Sequence, residues 1–311
     1  MPICPVTYDT IPQGQRYSAA GVRRLSTRLT TLEDFAHTAE QQRQEAVRRA
    51  GKISVQGVQP KLSVRVSEPK RTFVIVDTRG HYILKPQSSR YPELPENEDL
   101  SMRLAAAAGI RVPVHGLVYC IDGTLSYFIR RFDRPGRSRK VHVEDFAQLT
   151  GRSRDTKYDS SMEQVAAAID AHCTFPLPGR EELLRRTLFC LLTGNEDMHL
   201  KNFTVVRGQD VVELSPAYDM VNTTLALEGA SGEELALPLR GKKNHLSRSD
   251  VLEYFAVQRL ELTAAVVAQV VDTFQGALPQ WETLIQRSFL SERSKVAYRE
   301  LVHNRAARFV L

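Results

Sequence analysis

Asn195-Glu196-Asp197-Met198-His199-Leu200-Lys201-Asn202-Phe203 is the stretch on which the reading of this chain turns. Upstream, residues 181–193 carry apolar side chains at helical period. Downstream, residues 203–207 and 211–214 are short β-forming runs joined by Gly208-Gln209-Asp210. The stretch therefore lies on a loop between a helix and a hairpin. Asp197 and Asn202 stand five positions apart, and a second acid, Asp219, closes Ser215-Pro216-Ala217-Tyr218-Asp219 just after the hairpin. Asp and Asn are ordinary loop residues, so the spacing alone occurs often by chance. The order helix, loop, strand, turn, strand, acid is what gives it weight.

Phosphoryl transfer uses this set of groups. One carboxylate orients the attacking hydroxyl and takes up its proton, while an amide and a second carboxylate hold magnesium against phosphate oxygens. Eukaryotic protein kinases space their base and metal-binding Asn in the same way, Asp-x-x-x-x-Asn. Magnesium takes hard oxygen ligands and keeps several waters, so one amide and one carboxylate suffice. Asp197 is the candidate base, Asn202 and Asp219 are the candidate metal ligands, and ATP with Mg2+ is the implied pair. His199, inside the loop, is expected to stabilise it. His115, His142 and His172 are dispersed without ligand partners and are read as structural.

Working outward toward the N-terminus, Leu62-Ser63-Val64-Arg65-Val66 alternates strictly, which marks a half-buried strand. Phe73-Val74-Ile75-Val76 and His81-Tyr82-Ile83-Leu84-Lys85-Pro86 flank Asp77-Thr78-Arg79-Gly80 and are expected to pair as a hairpin. Residues 96–108 form a Leu- and Ala-rich helix ending at Gly109, and residues 112–121 and 125–131 are strands around Asp122-Gly123. Lys85 ends its strand ahead of a helix that begins Glu96-Asn97-Glu98. That places an ammonium within reach of ATP phosphates, with Glu98 as the expected partner and Glu96 the alternative. Ser54-Val55-Gln56-Gly57-Val58-Gln59-Pro60-Lys61 is a polar turn with a single glycine, and the N–H groups of Val55 through Gln59 are candidates to face phosphates. The strand ending Tyr127-Phe128-Ile129-Arg130-Arg131-Phe132-Asp133-Arg134 would run past the adenine, with Phe132 near the base. Residues 1–50 read as a loose, partly helical lead-in, with a helix-favouring run over residues 32–49.

Beyond residue 135 the pattern is mainly helical, at residues 160–172, 181–193, 249–274, 280–289 and 291–309. The expected fold is α+β and two-lobed, like a protein kinase: a β-rich N-lobe over residues 1–134 and a mainly helical C-lobe over 135–311, joined near residues 131–135. The composition suits this. The chain has 311 residues, 42% hydrophobic and 25% charged, enough to bury a core. Its formal charge of +6 suits a polyanionic ligand and equally a solvated surface. No apolar run approaches the ~20 residues that span a bilayer, and the N-terminus lacks a signal pattern. Cys4, Cys120, Cys173 and Cys190 fall in no metal spacing. The expected location is the cytoplasm, without membrane contact.

Taken together, these segments resemble the HipA family of toxin kinases from bacterial toxin–antitoxin systems. Five motifs carry the resemblance in order: the residue 54–61 turn as S-x-x-G-x-Q-x-K, Tyr82-Ile83-Leu84-Lys85-Pro86, Arg131-Phe132-Asp133-Arg134, Asp197 to Phe203 as D-x-H-x-K-N-F, and Pro216-Ala217-Tyr218-Asp219. Only 53 residues precede Ser54, and Tyr17-Ser18 with Arg23-Arg24-Leu25-Ser26 is similar to the short HipT type. The resemblance implies a serine/threonine protein kinase with Asp197 as base and Asn202 and Asp219 on Mg2+. It implies that Lys85 touches the ATP phosphates, that Arg130 and Phe132 border the adenine, and that Ser54 is an autophosphorylation site. A phosphate on Ser54 would add about two negative charges where ATP phosphates bind, and so repel nucleotide. Where HipT-type loops have a second serine this chain has Gln56. The implied protein substrate is an aminoacyl-tRNA synthetase, the tryptophanyl enzyme ahead of the glutamyl one. The implied partners are a small HipS-like antitoxin and a DNA-binding HipB-like protein, with DNA reached only through that complex.

Two other readings compete. A small-molecule phosphotransferase of aminoglycoside-kinase type shares the base, amide and acid but not the residue 54–61 loop or Arg131-Phe132-Asp133-Arg134. A catalytically inactive kinase-like co-repressor would have no need of Lys85, Asp197, Asn202 and Asp219 together.

Overall fold

The computed structural model describes residues 1–49, 59–136, 139–227 and 232–309. The chain forms two compact units. Unit 1 comprises residues 1–100, 113–139 and 287–291, and unit 2 comprises residues 101–112, 140–286 and 292–311.

Unit 1 is built on a five-stranded antiparallel sheet. Two helices, α1 (Ala19–Leu25) and α2 (Ala39–Arg49), precede strands β1 (Leu62–Ser67), β2 (Thr72–Ile75) and β3 (Tyr82–Lys85). Helix α3 (Leu94–Ala107) follows, then β4 (His115–Tyr119) and β5 (Leu125–Arg130). The strand order is β2-β1-β3-β5-β4. The expected hairpin of the second and third strands does not form, because β1 lies between them and pairs with both, Val64 facing Ile75 on one side and Tyr82 on the other. The connector passes over Ser63. Val76 N–H donates to its carbonyl at 2.9 Å, and a Cβ on Gly80 would lie 2.0 Å from its hydroxyl oxygen. Only glycine permits so close a crossing.

The N-terminal residues are not a loose lead-in. Cys4, Val6 and Phe35 are fully buried in one apolar cluster with Leu62, Val64, Phe73 and Phe128. Backbone bonds tie this segment to the sheet: Phe35 N–H donates to Tyr119 O at 2.8 Å and Leu117 N–H to Pro5 O at 3.1 Å. These apolar residues follow no helical or strand period, which is why the sequence pattern passed over them. Helix α2 starts at Ala39 rather than near residue 32. Thr38 and Gln41 cap it reciprocally, the Gln41 N–H donating to Thr38 Oγ1 and the Thr38 N–H to Gln41 Oε1.

Unit 2 contains a three-stranded sheet and most of the helices. Strand β6 (His142–Asp145) leads into α4 (Phe146–Leu149), α5 (Met162–His172) and α6 (Pro176–Thr193). The hairpin β7 (Thr204–Arg207) and β8 (Val212–Leu214) follows, then α7 (Thr223–Ala226), a π-helical stretch Ser249–Arg259, α8 (Ala264–Arg287) and α9 (Glu292–Phe309). The sheet order is β6-β7-β8, antiparallel throughout. Strand β6 has one apolar residue, Val143, and gave no alternation to detect. The expected single helix over residues 249–274 is instead two elements, divided where Glu261 takes a φ of 53°. The second of these runs straight through Pro279, the expected boundary before residue 280. An interior proline costs roughly 3 kcal/mol, and here a continuous buried stripe opposes it: Val267, Val270, Val271, Phe274, Ala277, Trp281 and Ile285.

Trp281 is the largest fully buried side chain of this stripe. It packs edge-on against Phe189 at 5.7 Å and Phe274 at 6.1 Å, and its indole N–H donates to Leu104 O at 2.9 Å. Trp281→Ala removes the rings' contacts and the indole bond to Leu104 O, a carbonyl that keeps the Ala108 N–H at 3.0 Å. The expected loss is about 3–5 kcal/mol of unfolding free energy, read from urea melts.

Candidate active site

The loop of unit 2 begins where α6 stops. Gly194 takes the left-handed conformation (φ 68°) and caps the helix. A Cβ there would sit 2.6 Å from Thr224 Oγ1 and 2.7 Å from a Leu301 methyl, so only glycine fits. Its carbonyl accepts the N–H groups of Thr223 at 2.9 Å and Thr224 at 3.1 Å, which fastens the helix end to α7.

Asn195, buried, accepts the Asp197 N–H on Oδ1 at 3.1 Å. The Asp197 carbonyl in turn accepts the His199 N–H and the Asn202 Nδ2–H, each at 2.9 Å. Three bonds thus hold the Asp197 backbone while its carboxylate stays half exposed, at 52%. Asn202 is buried and spends Nδ2 on that carbonyl. Its Oδ1, an oxygen donor suited to magnesium, accepts no hydrogen bond among the described residues.

The β7–β8 hairpin brings Asp219 back to this loop. Tyr218 donates its hydroxyl to Lys201 O at 2.9 Å and bonds Thr204 Oγ1. Ser215 N–H donates to Thr204 O, and Arg186, buried, donates to Ser215 O at 2.6 Å. Asp219 follows with a φ of 55°, a left-handed conformation that Asp tolerates better than most residues. Its charge acts on His199, as do those of Asp197 and Lys157. Asp219 and Asn202 supply hard oxygens of the kind magnesium binds. No group of three or more His, Cys, Asp or Glu that could hold a metal ion occurs among the described residues.

His199 holds the loop, as expected of it. It is buried, and its Nε2 meets Lys157 Nζ at 2.7 Å. Burial lowers its pKa most, against the opposing Asp197 charge, so the ring stays neutral and Nε2 accepts from the ammonium. Sequence reading missed Lys157 and Tyr158. They lie about 40 residues upstream in the polar, non-periodic run Arg152-Ser153-Arg154-Asp155-Thr156-Lys157-Tyr158-Asp159, where no local pattern signals a contact with the loop.

Unit 1 carries the other candidates. Lys85 is almost wholly buried and its Nζ donates to both oxygens of Glu98 at 2.6 and 2.9 Å, with Glu98 fully buried. The ammonium also lies 5.7 Å from the Tyr127 ring centre. Glu98, not Glu96, is therefore the partner. One residue on, Asp99 pairs with His115 Nδ1 at 3.0 Å, so α3 is held to β3 and β4 by adjacent buried acids. Glu96 accepts from Gln87 Nε2 at 2.6 and 2.8 Å. Burial pushes its pKa up to about 7, against the Gln87 hydrogen bond.

Arg130 ends β5 and is exposed, while Phe132 is half-buried. Beside them Asp133 takes Arg131 in a two-pronged bond at 2.9 and 2.7 Å and Arg134 at 2.6 Å, which stiffens the chain after β5. Ser54, Val55, Gln56, Gly57 and Val58 lie outside the described residues. Gln59 is described and half-buried. All four cysteines are free and buried.

Comparison with known proteins follows the same residues. The model of the HipA-like C-terminal domain matches residues 53–281. The chain belongs to the HipA-like family. A provisionally named kinase of Haemophilus influenzae is 33% identical over 206 residues, covering 61% of this chain and 59% of that protein. The serine/threonine-protein kinase toxin HipA of Shewanella oneidensis is 30% identical over 193 residues, covering 56% and 44%. The chain thus aligns with about half the length of these curated relatives. A solved complex of Shewanella oneidensis HipA with HipB and operator DNA superposes on the chain with a TM-score of 0.67 at 21% identity, covering 96% of this chain and 80% of that one. The fold is the kinase-like α+β fold of HipA. Among the described residues no helix is long and apolar enough to cross a membrane.

Two expectations follow from the buried charges of unit 1. Lys85→Met leaves Glu98 buried without its partner and should cost roughly 3–5 kcal/mol of stability, most of it recovered by Lys85→Met with Glu98→Leu, in denaturant melts. For Glu96 the folded pKa lies above the ordinary value of 4.5, near 7. The folded state therefore binds the proton more tightly, and the stability so contributed is complete below about 4.5 and lost as pH rises through 7. Glu96→Gln should thus gain on the parent chain by on the order of 2 kcal/mol between pH 4 and pH 8, read by urea melts at both.

Proposed function

We propose that the chain is a serine/threonine protein kinase of HipA type that transfers the γ-phosphoryl group of ATP to a protein hydroxyl. The observation that carries this is the loop of unit 2, where Asp197, Asn202 and the left-handed Asp219 are held by one network of bonds with an exposed carboxylate at its end.

In this reading Asp197 accepts the proton of the attacking serine or threonine hydroxyl. Asn202 Oδ1 and the Asp219 carboxylate hold Mg2+, which when bound neutralises charge on the phosphate oxygens. Lys85, oriented by Glu98, binds ATP phosphates, and its burial makes that orientation stiff. Arg130 and Phe132 border the adenine. The residue 54–61 loop covers the phosphates through Val55, Gln56, Gly57, Val58 and Gln59, and Ser54 is its autophosphorylation site. A phosphorylated Ser54 repels nucleotide and switches the kinase off.

The protein substrate we infer is an aminoacyl-tRNA synthetase, the tryptophanyl enzyme before the glutamyl one, modified in the cytoplasm. A small HipS-like antitoxin and a HipB-like DNA-binding protein complete the system, and the presence of HipB and operator DNA beside the Shewanella HipA supports the latter.

The test is incubation with γ-labelled ATP and Mg2+, followed by mass spectrometry of synthetases from cells expressing the chain. Label on Ser54 and on a synthetase is the expected result. Asp197→Ala should cut transfer on the order of a hundredfold or more and abolish growth arrest, with an unchanged circular dichroism spectrum. A still-toxic Asp197→Ala chain refutes the assigned base, and label only on an added aminoglycoside refutes the protein substrate.

A further inference from the structure

The Asp197 carboxylate has one side-chain hydrogen bond among the described residues. Tyr158, from the run between α4 and α5, directs its hydroxyl at Oδ1 at 2.5 Å. Asp197 Oδ2 has no partner among the described residues. The phenol is held in place from three directions. Its ring stands edge-on to the buried His199 ring at 5.1 Å. The Lys157 ammonium lies 4.8 Å from the centre of the same ring and 2.7 Å from His199 Nε2. The backbone of Lys157 is fastened as well, its carbonyl accepting the Leu200 N–H at 3.3 Å. A segment 40 residues from the loop in sequence thus grips it through backbone, imidazole and carboxylate together.

A half-exposed Asp side chain has two free torsions, and nothing in the loop's backbone bonds selects among them. The Tyr158 bond does so. Burial first, and the hydrogen bond to Asp197 second, hold the phenol well above its ordinary pKa, so it remains the donor.

We propose that Tyr158 is a positioning residue for the base: its O–H fixes Asp197 Oδ1 and leaves Oδ2 as the atom that meets the acceptor hydroxyl, with Lys157 anchoring the phenol on His199. The proposal rests on the kinase reading above. It explains why an otherwise unpatterned polar run is pinned to the loop.

Tyr158→Phe tests it. The residue is 40% exposed and phenylalanine keeps the ring contacts with His199 and Lys157, so the fold should survive, as circular dichroism would report. Phosphate transfer from γ-labelled ATP is measured to the chain itself and to purified tryptophanyl-tRNA synthetase. The expected result is a kcat lower by roughly ten- to a hundredfold with an unchanged KM for ATP. A merely supporting role for the ring would leave kcat unchanged, because phenylalanine keeps that support. A variant with the parent's kcat overturns the positioning role. Faster transfer by the variant overturns it too, because the phenol would then be occupying the acceptor's place. A parent chain that transfers no phosphate overturns the kinase reading itself, and this role falls with it.

Discussion

A loop that presents an exposed carboxylate in a fixed place has to keep its own backbone from moving while leaving the side chain accessible. Here the constraint is met at the Asp197 peptide, whose N–H is taken by Asn195 and whose carbonyl is taken twice, by His199 and Asn202. The rest of the site follows from that arrangement. Asn202 uses its nitrogen on Asp197, and its Oδ1 accepts no hydrogen bond among the described residues. Because the peptide is held, the orientation of the carboxylate comes down to a single side-chain bond from Tyr158. The glycine that ends α6 and the tyrosine that ties the hairpin to Lys201 are supports of the same loop, one at each end.

Unit 1 solves a different problem, that of keeping charge where water is excluded. Burying an ammonium or a carboxylate alone is costly, and the cost is offset only when the partner is close and the remaining donors and acceptors are satisfied. Lys85 and Glu98 meet in a two-pronged bond, and Asp99 and His115 form a second buried pair on the same helix. Glu96 has only an amide for a partner and shows the consequence in its raised pKa. Three acids in one turn of α3 are thus distinguished by what each faces: a cation, an imidazole, or a neutral amide.

Much of this was legible before folding. The alternation of residues 62–66, the lysine at the end of a strand, the acid and amide five residues apart, and the later acid after a hairpin each sit within a short window, where periodicity and turn chemistry operate. The choice between Glu98 and Glu96, two residues apart on the first turns of α3, was left open by the sequence and is decided by the bond from Lys85 to Glu98. What escaped was non-local. The burial of Cys4, Val6 and Phe35, the insertion of β1 between β2 and β3, and the continuation of α8 through Pro279 all depend on contacts with residues far away in the chain.

The same division runs through the site. The linear order of residues determined the family, through five short motifs in order, and singled out Asp197, Asn202, Asp219 and Lys85 as candidates by type and spacing. Tertiary structure decided the conformation of each group: which acid holds Lys85, which atom of Asn202 bonds the Asp197 carbonyl, and that Lys157 and Tyr158 meet the loop at all. The reason is physical. Spacing along a chain specifies neighbours only within a helical turn or a strand pair, whereas the direction of a hydrogen bond depends on elements that packing brings together from opposite ends of the sequence.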